Sequence, residues 1–241
     1  MEIIELGLPS GTKWASCNLG AEKSTEYGGY FAWGDTSTKA CYIGRNCETY
    51  DLDIYRLKMD DYINRMNFLS MEYDAAVQIL GDKWHIPSGV QAQELIDFCS
   101  WEWVENYNNS GINGRLGTSK INGTHIFLPA AGYAHNTEKF MVGDNGGYWT
   151  SSPNLIASNR AWSIAFDSGV INVFNHGIRY FGYSIRPITK KSHDPCCEVV
   201  IVGANCIFSK EVVPANTIQC RLTQPFFYSV RMLLCELSHL L

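Results

Sequence analysis

RAWSIAFDSGVINVF, residues 160 to 174, carries the plainest structural signal in the chain. Trp162, Ile164 and Phe166 alternate with Ala161, Ser163 and Ala165; Asp167-Ser168-Gly169 breaks the run; Ile171 and Val173 then alternate with Asn172 and Phe174. A period of two on both sides of a turn predicts an antiparallel hairpin with one face in a core and the other exposed. The sequence that follows, NHGIRYFGYSIRPI (175 to 188), interrupts the alternation with Asn, His, Arg and aromatics before closing on Arg186-Pro187. An ordinary hairpin needs none of these, so the stretch reads as residues displayed on a β scaffold.

Upstream the same period continues. WEWVEN begins at Trp101, and GRLGTSKINGTHIFLPAAGY (114 to 133) sets Asn122-Gly123 between apolar runs, which predicts a hairpin with a type I′ turn. Before Trp101 the signals are helical. SMEYDAAVQIL (70 to 80) offers Ser70 as N-cap and Ala75, Ala76, Ile79 and Leu80 at helical spacing. In PSGVQAQELIDFC (87 to 99), Ser88 caps a segment with Val90, Leu95, Phe98 and Cys99 near one stripe. The first sixty residues, punctuated by Gly28, Gly29 and Gly34, read as loops and short strands. Two short helices beside small sheets make an α+β domain.

The 241 residues fit one domain with an appendage, and 13% aromatics with seven Trp argue for a folded core. The formal charge of −5 lacks the basic footprint that phosphate neutralisation requires, so nucleic acid is not an expected partner. No apolar run reaches transmembrane length, and MEIIELGLPSGTKWASC has neither the basic start nor the continuous apolar stretch of an export signal.

Composition changes after Ile188. TKKSHDP marks a boundary, giving a domain over 1–189 and a tail over 190–241; the tail has no Trp but holds five of the nine cysteines. Nine is odd, so not all can pair within one chain. Cys41 and Cys47 are close enough in sequence for a small disulfide loop, but free buried thiols are the favoured reading. Within the tail, EVVIVGANCIFSKEVVPANTI (198 to 218) resembles the closing coil of hexapeptide-repeat acyltransferases. It spans about one coil and a half where a left-handed β-helix needs several, so no enzyme is inferred from it.

Residues from about 4 to 188 resemble the Fibrobacter succinogenes major paralogous domain. The matching phrases, in order, are ELGLPSGTKWASCNLGA (5 to 21), EYGGYFAWGDT (26 to 36), KWHIPSGVQAQELID (83 to 97), IFLPAAGY (126 to 133), GYWTSSP (147 to 153), AWSIAFDSGVINV (161 to 173) and GYSIRPI (182 to 188). Asp35 stands where Glu is commoner in that family, and His85 where Arg is usual. The resemblance implies a C-type lectin-like fold with two short helices and small antiparallel sheets, in a secreted or cell-surface protein. It also implies kinship with variable proteins whose C-terminal codons are rewritten by diversity-generating retroelements; here that window would run from Tyr148 to Arg186.

Within the window, Trp162, Ile164, Phe166, Ile171, Val173 and Ile185 are expected to point inward. The expected ligand-binding set is Asn154, Asn159, Arg160, Asn172, Phe174, Asn175, His176, Arg179, Tyr180 and Phe181, all at outward or loop positions. Rigid aromatics mixed with adaptable amides suit protein or glycan recognition. The plainer alternative is that these form only a polar sheet face and a loop. Trp33, Trp149 and Trp162 are expected to be structural. Arg186, between Ile185 and Pro187, reads as a half-buried ion-pair partner, with Asp35 as its carboxylate.

No nucleophile elbow, phosphate loop, dinucleotide fingerprint, HExxH or EF-hand motif occurs. Calcium-dependent lectins of the resembled fold carry a carboxylate or amide before a loop proline; the chain has Ser152-Pro153-Asn154, so neither a metal nor a cofactor is expected. His85, His125, His135 and His176 are scattered, and His176 is the one expected to touch ligand. A non-enzymatic binding module leads. A structural or adhesive domain of a larger surface protein, and an enzyme of the formylglycine-generating type, are the alternatives.

Overall fold

The structure is a computed structural model that describes residues 1–189. These fall in the first of the two units into which the chain divides, Met1–Glu198 and Val199–Leu241. The acyltransferase-like phrase and the boundary at 189 lie outside the described residues or at their edge.

The elements in order are β1 (Ile3–Ile4), β2 (Lys13–Ala15), α1 (Ile54–Met59), α2 (Ala75–Leu80), β3 (Trp84–His85), α3 (Gly89–Phe98), β4 (Cys99–Val104), β5 (Gly114–Ser119), β6 (His125–Pro129), β7 (Tyr133–His135), β8 (Glu138–Phe140), β9 (Gly146–Pro153), β10 (Arg160–Phe166), β11 (Ile171–Ile178) and β12 (Ile188–Thr189). They build four small antiparallel sheets: β1-β2-β12-β3, β11-β10-β9, β4-β5-β6 and β7-β8. The fold is α+β and rich in strand. Among the described residues no helix is long and apolar enough to cross a membrane.

The helical expectations hold for α2 and α3 but need four corrections. α1 was not expected; Asp53 caps it by accepting from the Arg56 N–H at 2.8 Å. Ser70 does not cap α2, because its hydroxyl donates to the Asp61 carbonyl; Asp74 does, accepting from Ala76 and Val77 while its other oxygen takes the Ile86 N–H. Ser88 caps α3 as expected, reciprocated by Gln91 in a capping box. The buried stripe of α3 is Ala92, Leu95 and Cys99, whereas Val90 and Phe98 lie toward solvent. In α2 it is Val77, not Ile79, that joins Ala75 and Ala76 in the interior.

The β5–β6 hairpin forms, with a different turn from the one expected. Gly123 takes φ +74°, but Asn122 is not among the positive-φ residues, as a type I′ turn would require. The Asn122 side chain instead reaches out of the turn, donating to the Glu5 carbonyl and accepting from the Thr124 N–H.

β10 and β11 pair as the alternation predicts, except at a bulge between Ala161 and Ser163. The two-residue step from Ala161 to Ser163 opposes three residues of β11 and four of β9, so the insertions lie in the flanking strands; Trp162 keeps the face of Ile164 and Phe166 and, half-buried, packs against the same core. Beyond the bulge, Ile164, Phe166 and Val173 pack with Tyr148 against Ala92 and Leu95 of α3. A second core gathers Trp33, Trp149, Leu57, Leu69 and Ile185. The Trp149 indole donates to the Phe31 carbonyl and the Trp33 indole to the Thr150 carbonyl, which ties the N-terminal loops to β9.

Candidate functional site

Opposite residues in an antiparallel ladder share a face. Gly147 and Asn172 both pair with Ala165, and Trp149 and Phe174 both pair with Ser163, so the face of β9-β10-β11 turned away from α3 carries these six. Tyr183 lies across the Trp149 ring, with centroids 4.3 Å apart. Beside it opens a cleft of about 240 Å³ lined by Tyr133, Asn145, Gly146, Gly147, Ala165, Phe166, Asp167, Phe174, His176 and Tyr183, among others. The floor is low because of its glycines. A Cβ on Gly146 would stand 2.1 Å from the Phe166 ring, and one on Gly147 would stand 3.0 Å from Tyr183.

A chain of half-buried rings extends from the cleft. Tyr133 stacks on Phe181 at 5.0 Å and on Phe140 at 5.5 Å; His135 lies 5.0 Å from Phe181; Tyr180 meets Phe181 edge-on at 5.1 Å and Tyr50 at 4.9 Å. Backbone bonds between Ala134 and Gly182, in both directions, hold β7 beside this segment. The cluster therefore joins three stretches distant in sequence.

Electrostatics at the cleft centre on Asp167. Its Oδ1 accepts from the N–H groups of Gly169 and Val170 at 2.7 and 2.9 Å, which holds its carboxyl below the ordinary 3.8. Burial pushes the Tyr183 phenol up to about 12, so it stays a neutral ring with a hydroxyl. Arg115 sends its Nε to the Asp167 carbonyl at 2.9 Å.

The expected ligand-binding residues separate into groups. Phe174 and His176 line the cleft, their rings 5.0 Å apart, and Asn172 is exposed on the same strand. Tyr180 and Phe181 belong to the ring cluster. Asn154 builds the β9–β10 loop by accepting from Ile156 and Ala157, and Asn159 gives its carbonyl to the Arg179 N–H. Arg160 is half-buried and donates to the His176 carbonyl at 3.1 Å. The Asn175 side chain lies outside what the structure describes.

Arg179 is a correction. Expected outward, it is fully buried, with Nε on the Arg160 carbonyl and Nη1 on the carbonyls of Thr49 and Leu52. Three carbonyls that no other side chain reaches draw it inward. The Asp35–Arg186 pair is a second correction. Asp35 is ion-paired with Lys39, whereas the fully buried Arg186 donates to Asn18 Oδ1 at 2.9 Å and to the carbonyls of Ala15, Ser16 and Phe127. Carbonyls and one amide replace the carboxylate. Cys41 and Cys47 are free thiols, as are Cys17 and Cys99.

Sequence reading missed Tyr133, His135, Phe140 and Asp167. The signal was present: Tyr133 and His135 alternate around Ala134, Asn136 turns the chain with φ +52°, and Phe140 pairs back with Tyr133. It is a six-to-eight-residue hairpin with its rings on one side.

Residues 91–188 match the model of a domain of unknown function (DUF8237). The matched stretch runs from within α3 to the first residue of β12 and holds every residue that lines the cleft. No curated protein and no solved structure matches the chain.

Proposed function

We propose that this protein is a non-enzymatic ligand-binding module of C-type lectin-like fold, of the Fibrobacter succinogenes major paralogous type. It presents the β11 edge of the β9-β10-β11 sheet, at Asn172, Phe174 and His176, and the 180–183 segment to a protein or glycan at a cell surface. One observation carries the reading: rings from β7, β11 and Tyr183 line one cleft, and those of Phe140, Tyr180 and Phe181 pack beside it, on a scaffold whose other face is buried. Preordered aromatic area binds with little loss of side-chain entropy, which favours recognition by this face. Thiol chemistry at Cys47 or Cys99 finds no support, because burial pushes the Cys47 thiol up and Cys99 to about 11, the reverse of what a reactive thiolate needs.

The test is binding of the full chain to a glycan array and to surface-protein fractions, beside a variant carrying Asn172→Ala, Phe174→Ala, His176→Ala and Tyr180→Ala. Capture by the parent and its loss in a variant with an unchanged circular dichroism spectrum is the expected result. Equal capture by both would remove this face from recognition.

A further inference from the structure

The two margins of the β11-β10-β9 sheet differ. On the outer side of β9 the backbone is paired: the Trp149 N–H donates to the Ser184 carbonyl, the Ser184 N–H to Gly147 and the Ser151 N–H to Pro87. β11 has β10 on one side and, among the described residues, no backbone group on the other. Register tells which groups are left over. The Asp167 N–H donates to the Val170 carbonyl at 3.0 Å, so that pair is hydrogen-bonded. Alternating from it, Asn172 and Phe174 turn their backbone groups to β10, while Ile171 and Val173 turn theirs outward. The Val173 N–H agrees with this sense, for its acceptor is the Asn172 Oδ1 at 2.8 Å and not a carbonyl of β10.

Native sheets commonly guard such an edge with a charged side chain. β4, at a margin of β4-β5-β6, carries the exposed Glu102. β11 has no such guard: from Ser168 to Gly177 there is no Lys, Arg, Asp or Glu. Val170-Ile171-Asn172-Val173-Phe174 instead has the same character read from either end, with apolar residues on both sides of one amide.

That symmetry makes the edge complementary to itself. When two copies pair antiparallel about Asn172, Ile171 stands opposite Val173 of the second copy and exchanges both backbone bonds with it, and Val173 does the same with Ile171. Every outward group of those residues is then satisfied. On the open face Val170, 48% exposed, comes to lie against Phe174 of the second copy. Asn172 faces its own counterpart, so no like charges meet. The Asn172 amide must first release the Val173 N–H, which makes the association reversible and not obligate.

We infer that β11 is a dimerisation edge, joining the three-stranded sheets of two copies into one about a two-fold axis at Asn172. The pairing is independent of the ligand that the protein takes, and His176 and the 180–183 segment lie outside its register.

Sedimentation velocity of the full chain over a concentration series is expected to show a monomer–dimer equilibrium. Asn172→Lys and Asn172→Asp each set like charges against one another at the axis, and each is expected to stay monomeric where the parent pairs. Residue 172 is exposed, so neither change touches the core. An equimolar mixture of the two variants should dimerise again, because an ammonium then faces a carboxylate. Asn172→Val removes the cap from the Val173 N–H and puts a β-branched pair at the axis, which should tighten the dimer about fivefold. A parent that is monomeric throughout, singly charged variants that pair as the parent does, a mixture that fails to regain the dimer, or an Asn172→Val dimer weaker than the parent's would each overturn the inference.

Discussion

Arg179 holds its guanidinium carbon 4.8 Å from the centroid of the Trp33 ring, fully buried, and faces backbone carbonyls where a carboxylate would be the usual partner. Burial lowers its basicity to about 10, yet it remains charged at neutral pH. It joins the loop after Cys47 to the end of β11. Truncation removes the ring contact and three hydrogen bonds, and leaves the Leu52 carbonyl without its partner, while those of Thr49 and Arg160 keep one backbone N–H each, from Leu52 and Asn154. Arg179→Ala is expected to destabilise by about 3 kcal/mol or more. Arg179→Lys should be only partly tolerated, for want of a fork. Urea unfolding followed by Trp fluorescence measures both; a shift below ~1 kcal/mol for the alanine variant would contradict this account.

Asn18 joins Arg186 to the rest of the interior, with Oδ1 accepting from Arg186 Nε and Nδ2 donating to the Tyr27 carbonyl. Asn18→Ala is expected to destabilise by roughly 2–4 kcal/mol, since it leaves a buried guanidinium nitrogen unsatisfied. Asn18→Asp should retain more stability, because the carboxylate still accepts from Arg186. Thermal denaturation of the three proteins gives the order, and an aspartate variant less stable than the alanine one would be the wrong order.

Two glycines of β9 and β11 leave room for rings. A Cβ on Gly146 would lie 2.1 Å from Phe166, and one on Gly177 2.5 Å from Trp149. Gly146→Ala and Gly177→Ala are each expected to lose about 1–3 kcal/mol, or more where the ring cannot yield. Gly169→Ala meets nothing closer than 3.4 Å and should stay within about 0.5 kcal/mol of the parent. Denaturant midpoints that put Gly169→Ala with the other two would refute the packing described.

The Asp167 carboxyl lies below its ordinary 3.8 because two backbone N–H groups bond the ionised form. A depressed acid favours the folded chain above 3.8 and loses that contribution as pH falls through the folded value. The stability gap between the parent and Asp167→Asn should therefore be constant above about pH 5 and narrow on acidification. Unfolding midpoints at a series of pH values test the sign; a gap that widens toward acid would reverse it.

Burial also grades the thiols. Cys41 is half-buried, whereas Cys99 is buried and pushed up to about 11. Native iodoacetamide treatment at pH 8, mapped by mass spectrometry, should modify Cys41 well before Cys99, with Cys99 reached after unfolding. Early alkylation of Cys99 would show that α3 is less tightly seated than the structure has it.

Local patterns were legible where a short-range rule decides the outcome. Ser88 with Gln91 announces α3, and the alternation from Ile164 to Val173 announces the β10–β11 pair. What periodicity cannot register is a register shift: opposite Ala161–Ser163 the strands β9 and β11 carry extra residues that no alternation in β10 announces, and Trp162, inward as expected, is only half-buried there. Charge partners were also hidden. Arg179 and Arg186 find carbonyls supplied by loops distant in sequence, and carbonyls have no side-chain signature. The cleft needed Tyr133 brought to Tyr183 across the Ala134–Gly182 backbone bonds, a long-range pairing no local window holds.

β12 lies between β2 and β3, so Ile188 is hydrogen-bonded into a sheet whose other members were translated more than a hundred residues earlier, at Trp14 and His85. On the ribosome, that sheet stays open along its middle until almost the whole domain has been made. Trp14 and Trp84 must wait, partly uncovered, for a strand of two residues. The nascent chain is thus most vulnerable to chaperone capture or proteolysis just before β12, the last of the described strands, emerges, and any stall ahead of Ile188 would leave a domain that has made its β10–β11 hairpin but cannot close around it.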